Sequence, residues 1–255
     1  MANLEEGTSD LISSLLVNDR EEVYDDREPV IEPRHAIKEL VRRGRPVIPA
    51  LTRLIERYEK ENDGRYYIEY VIEILGRIGG NQSSKLILRI LLTSSTITND
   101  DGGSMCTKWL RNLGETAVPA IVRFVEENRD ATFAVMAAAE AVEEIKDRRL
   151  VPLLVKLLGY PNPVVVQSAL ISLQRQDDKS VVPHVIPLLQ YQHGHPAEQR
   201  QTREFALGAL ESLLREDQRL LRQIKSDPES KPKARHIGQN PMGGVNARVT
   251  KGSSQ

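Results

Sequence analysis

Between residues 34 and 225 apolar side chains recur every three or four positions, and alternation at every second position is scarce. That period belongs to the α-helix. The segments AIKELVRRG, VIPALTRLIERYEKEN, RYYIEYVIEILGRIGG, SSKLILRILLTSS, GGSMCTKWLRNLG, TAVPAIVRFVEEN, ATFAVMAAAEAVEEIK, RLVPLLVKLLG, NPVVVQSALISLQRQ, SVVPHVIPLLQ and TREFALGALESLLRED each predict a helix of about 9–17 residues. Gly, Asn, Asp or Pro stands at almost every join, as expected of chain punctuation.

Four prolines set a register. Pro49, Pro119, Pro152 and Pro183 each follow a valine or isoleucine and open a Leu/Ile/Val-rich run, where the missing N–H of a first-turn proline costs nothing. Their steps are 70, 33 and 31 residues, and halving the first places a fifth unit near Lys85. Two positions after these five residues stand Leu51, Ile87, Ile121, Leu154 and Val185. Five positions after them stand Leu54, Ile90, Phe124, Leu157 and Leu188, and six after stand Ile55, Leu91, Val125, Leu158 and Leu189. Offsets of two, five and six share one helix face. A two-helix unit recurring at such a period is the mark of an α-solenoid.

In these residues the chain resembles a HEAT-repeat protein, in particular the short-repeat class shared with phycobilisome lyase-like proteins. Its units run roughly A-V-P-x-L-x-x-L-L, a turn, then V-R-x-x-A-A-x-A-L-G. TAVPAIVRFV and RLVPLLVKLLGYPNPVVVQSALISL follow that plan, and TREFALGAL follows its second half with Arg203 at the arginine. The likeness covers about residues 35–225 and departs at Val166, where the arginine is usual, and at Lys85, which replaces the proline. It implies an all-α, armadillo-type superhelix: an α-solenoid of about five to six antiparallel helix pairs over residues 34–225. With no convincing acid-base or metal constellation in the sequence, the expected function is that of a non-catalytic protein-interaction scaffold or adaptor holding a partner segment on its concave face. Fold alone does not name a function.

Four positions after Pro49, Lys85, Pro119 and Pro152 lie Arg53, Arg89, Arg123 and Lys156, and Pro187 ends the run in the fifth unit. Stacked helices lie about 8–10 Å apart, so these side chains predict a basic ladder along one face. In the family resembled, the second helix of each unit lines the concave surface, and the ladder is assigned there. It suits an acidic or helical segment of a protein partner, since guanidinium forks match carboxylates and phosphates alike. The bland alternative is that each cation pairs with a carboxylate on a neighbouring helix.

Composition limits the other readings. With 35 basic and 36 acidic residues the chain has no global field, which disfavours nucleic acid as a partner, although phosphate binding through the ladder is one alternative. Residues 1–33 form an acidic segment, in which SDLISSLLV allows a short helix capped by Ser9 or Asp10. Its Glu21, Glu22, Asp25, Asp26 and Glu28 could lie across the ladder and inhibit it. Residues 226–255 carry Pro, Gly, Ser and Lys without apolar period and read as a disordered basic tail. No positive leader or spanning apolar run is evident, and Cys106 is the lone cysteine, which points to a cytoplasmic protein without membrane contact.

Catalytic and metal chemistry finds little purchase. His193, His195 and Glu198 gather in YQHGHPAEQ at spacing poorly suited to a metal. Iron-dependent HEAT-like hydroxylases carry His-Glu pairs, and none of the five histidines here precedes Glu. Cys106 lacks a nearby base and reads as structural. Trp109 and Tyr66, Tyr67 and Tyr70 suit core packing better than stacking on a chromophore. The expectation is no enzyme activity, no metal and no cofactor. The family likeness leaves a bilin-lyase-like accessory role as the other alternative.

Overall fold

The computed structural model describes residues 2–16, 33–61, 67–94 and 101–226, and within them the chain is helical without strands. The helices are α1 (Ala2–Leu15), α2 (Arg34–Arg43), α3 (Ile48–Glu61), α4 (Tyr67–Ile78), α5 (Gly80–Ser94), α6 (Asp101–Leu113) and α7 (Val118–Glu127). They continue as α8 (Thr132–Ala141), α9 (Val151–Leu157), α10 (Pro163–Gln176), α11 (Val182–Val185), α12 (Pro196–Leu213) and α13 (Gln218–Ser226). Among the described residues no helix is long and apolar enough to cross a membrane. The acidic residues 17–32 and the tail from 227 lie outside the described residues, and so does the covering of the ladder expected of the former.

The proline register has a uniform local form. Short 3₁₀ turns at Arg45–Val47, Gly114–Thr116, Arg148–Leu150 and Lys179–Val181 each lead into a helix whose second residue is Pro49, Pro119, Pro152 or Pro183. Asp147 and Asp178 cap two of these turns by accepting from the backbone N–H of Arg149 (2.9 Å) and Ser180 (3.0 Å). Gly114 opens its turn at φ +57°, a conformation glycine adopts without strain. The Lys85 unit differs for a clear reason. Gly79 and Gly80, at φ +73° and +84°, make the joint instead, and α5 starts at Gly80, so Lys85 lies inside the helix. A proline there would remove an i to i−4 hydrogen bond and break α5. Pro187 has that effect in the last unit, where the predicted helix SVVPHVIPLLQ divides into the four residues of α11 and a 3₁₀ turn over Ile186–Gln190.

Two sets of helices stack in chain order. Helices α2, α4, α6, α8, α10 and α12 pack each on the next of the set, and α1, α3, α5 and α7 do the same. Across the sets, α1 packs on α2, α3 on α4, α5 on α6 and α9 on α10. Helix α1 begins well before Ser9 and Asp10, which therefore lie within it and do not cap it. Its Leu15 is buried in the core shared by both sets.

The aligned positions form that core. Leu51, Ile87, Ile121, Leu154 and Val185 are all fully buried. The residues at offsets five and six are buried as well, apart from Leu188, which is half-buried. Each such side chain contributes about 1.5–3 kcal/mol by leaving water. The even-numbered set adds a different material: Gly76, Cys106, Thr107, Ala134, Ala138, Ala141, Ser168, Ala169, Ser172, Thr202, Ala206 and Ala209 are buried within it. Small side chains at a helix contact shorten the distance between axes.

Polar bridges between helices fall at two sequence separations. Between neighbouring helices they span 12–14 residues, as where Tyr67 donates to the Leu54 carbonyl (3.4 Å) and Arg203 to that of Tyr191 (3.1 Å). Between successive layers they span 29–37 residues. Gln167 on α10 donates to the Thr202 hydroxyl on α12 (3.0 Å), and Tyr58 on α3 meets Ser94 on α5 (3.2 Å). Gln176 donates to the Ile145 carbonyl (2.8 Å) and accepts from the Asp147 N–H (2.9 Å), tying α10 to the connection after α8.

Candidate functional site

The ladder residues stand on α3, α5, α7 and α9. The register proline opens the first helix of each unit, so a position four residues on lies on that same helix; the ladder therefore belongs to the odd-numbered set and not to the second helices. Its charges are largely matched. Arg89 grips Glu59 on α3 with two hydrogen bonds of 2.6 and 2.5 Å, and this pairing holds its guanidinium further above its ordinary value. Lys156 reaches Glu126 on α7 (2.5 Å), whose carboxyl is held down by that hydrogen bond. Arg123 bonds Glu127 of its own helix (2.7 Å). Arg53 is exposed and makes no ion pair among the described residues. The face is thus a string of exposed ion pairs with little net charge, and such pairs stabilise by about 0–1 kcal/mol each.

The other candidate residues take structural places. His195 caps α12: its Nδ1 accepts from the Ala197 N–H (3.3 Å), and Glu198 accepts from the His195 N–H (2.7 Å). This reciprocal pair is a capping box, which accounts for the clustering of His195 and Glu198. No three His, Cys, Asp or Glu side chains gather as a metal site would require among the described residues. Cys106 is fully buried, and burial pushes its thiol well up. Trp109 packs against Gly76, where an added Cβ would lie 2.2 Å from its ring. Tyr67 is buried, Tyr70 is half-buried, and Tyr66 lies outside the described residues. Val166, at the family's arginine position, is fully buried in α10.

A feature that the apolar period did not single out lies on the even-numbered set. Thr107 Oγ1 lies between the Gly103 carbonyl of its own helix (3.1 Å) and the Ala137 carbonyl (3.4 Å), and Arg111 donates to the Glu140 carbonyl (3.2 Å). The two interhelical contacts advance along both helices together, so α6 and α8 run in the same direction with a groove between them. Phe133, 68 % exposed, and Met136 wall this groove on α8; Ser104, Lys108 and Arg111 wall it on α6. Farther along, Glu140 sits half-buried beside Arg111. Its carboxyl is pushed up by burial and by repulsion from Glu143, with Arg111 pulling the other way. Val164 on α10 lies 31 residues after Phe133, at the same second position of its helix, and is also exposed. The sequence signal for this pair is two large apolar residues 31 positions apart, each one step inside a helix start.

Comparison of the chain with protein-family models, with curated proteins and with solved structures gives no match.

Proposed function

We propose that this chain is a non-catalytic protein-interaction scaffold, built as a HEAT-like α-solenoid, that holds a partner segment on the face formed by α4, α6, α8, α10 and α12. The observation that carries the reading is the one-repeat separation, 29–37 residues, of the bonds between successive layers. Layers are tied at the same sequence separation along the chain, as expected of successive layers that stack into a rigid, extended surface. Buried Ala, Ser, Thr, Cys and Gly are more numerous on the even-numbered helices than on the odd-numbered ones, and small side chains let helix axes approach. A stack built this way curves toward its even-numbered face.

That face carries Phe133, Met136, Ile171 and Leu207 at partial or full exposure, whereas the ladder of Arg53, Arg89, Arg123 and Lys156 occupies the opposite, convex side. Recognition therefore falls to the even-numbered face, and in the ladder Arg89 and Lys156 serve to tie neighbouring layers. Affinity capture from cell extract with quantification of bound proteins tests this. The pair Met136→Glu with Ile171→Glu should lose the partner, and Arg53→Glu with Arg123→Glu should keep it. Capture that survives the first pair and fails with the second would return recognition to the ladder.

A further inference from the structure

Resting on that reading, the groove between α6 and α8 narrows the kind of partner. Its levels follow from the two interhelical contacts: Ser104 lies opposite Phe133, Thr107 and Lys108 lie opposite Met136 and Ala137, and Arg111 lies opposite Glu140. At the floor, Gly103, Thr107 and Ala137 are small, leaving an open trough of about 450 Å³. One wall begins apolar, with Phe133 and Met136, and acquires carboxylates only from Glu140 onward. The other wall is basic. Helix α6 has no acidic residue after Asp101, and Lys108 is exposed with no ion-pair partner among the described residues.

We infer that this groove docks an amphipathic helix of a protein partner, presenting an apolar side chain to Phe133 and Met136 and a carboxylate, about one turn away, to Lys108. The occupant follows from charge and shape together. A helix ridge fits the trough between two parallel helices. Exposed Phe133 is a preformed aromatic anchor of the type that dominates such interfaces. Lys108 is the cation at that level not already matched by a carboxylate among the described residues, so a basic segment is disfavoured there and an acidic one is favoured. Farther along, Glu140 and Glu144 already flank Arg111 with carboxylates.

The test is selection of a displayed library of random helical peptides against the full chain, followed by affinity measurement of the recovered peptides. The expected consensus pairs a large apolar residue with Glu or Asp three or four positions away. Its affinity should fall about tenfold or more with Phe133→Ser and with Lys108→Glu, and should not move with Arg53→Glu. All three positions are exposed, so helical circular dichroism should remain unchanged. A charge swap in the peptide, Glu to Lys, should restore binding to Lys108→Glu. Peptides indifferent to Phe133 and Lys108 but lost with Ile171→Glu would overturn the groove and leave the scaffold reading standing. Recovery of no peptide, or of peptides lost only with Arg53→Glu, would overturn both.

Discussion

Helix α7 buries Val118, Ile121, Phe124 and Val125 with one alanine, Ala120, whereas α8, joined to it by a short turn, buries Ala134, Ala138, Ala139 and Ala141 with one larger residue, Val135. A weaker form of the contrast extends to the other helices, with small buried residues more numerous on the even-numbered set. Odd-numbered helices bury mainly branched and aromatic side chains and are bridged by the buried Tyr58–Ser94 contact and by surface ion pairs such as Arg89–Glu59 and Lys156–Glu126. Even-numbered helices mix buried Leu, Ile and Val with more Ala, Ser, Thr, Cys and Gly, and bridges such as Gln167–Thr202 are buried among them. In the proposed solenoid this contrast is the source of curvature. Both layers obey one apolar period, but the volume placed at that period sets the spacing, and two unequal spacings bend the stack.

Truncation and enlargement should therefore act oppositely in the two layers. Leu154→Ala in the odd-numbered layer should cost about 2–5 kcal/mol through the cavity it leaves, read as a lowered midpoint in urea. Enlargement should be costly in the even-numbered layer. Ala138→Leu should destabilise by about 1–3 kcal/mol through overpacking, and Gly76→Ala should destabilise despite the better helix propensity of alanine, since its Cβ would meet the Trp109 ring at 2.2 Å. A stabilising outcome for either enlargement would erase the distinction between the layers.

Polar changes should be no larger and should also separate the layers. Gln167→Leu should cost about 1–3 kcal/mol, because it leaves a buried Thr202 hydroxyl without its partner, and salt should not alter that cost. Arg89→Met should cost at most about 1 kcal/mol, an effect that shrinks in 1 M salt because the Glu59 pair is partly exposed. The smallest effect belongs to Glu140. Its raised carboxyl binds a proton more tightly when folded, so stability should fall as pH rises from the ordinary carboxylate range through its shifted value. Glu140→Gln should remove that fall and raise Tm at neutral pH, with no gain in acid; calorimetry across the range checks it.

Much of the helical organisation was legible because proline and buried Leu, Ile and Val mark local events. Pro49, Pro119, Pro152 and Pro183 each stand where a helix begins, and the residues two positions on are buried without exception. Less was legible where the outcome depended on the size or distance of a partner. Ala138 counts as apolar in any periodic pattern, and such a pattern does not register that this fully buried residue is small. The ladder was visible in the register, but its matching by Glu59 and Glu126 depends on residues 30 positions away. His195 and Glu198 looked like ligands because a capping box and a metal site draw on the same side chains. The groove needed tertiary structure: Lys108 and Phe133 are 25 residues apart in the chain and meet only because α6 and α8 lie side by side.

A stack that bends toward its small-residue layer brings even-numbered helices closer together than odd-numbered ones, and paired spin labels measure that inequality. Cys106 is fully buried, so labels go to cysteines introduced in pairs at Arg89 and Lys156 on α5 and α9, and at Ser104 and Val164 on α6 and α10. Each pair spans two layers of its own set. The distance between the labels on α6 and α10 should be shorter than that between the labels on α5 and α9; equal distances, or the reverse order, would rule out a bend in that direction.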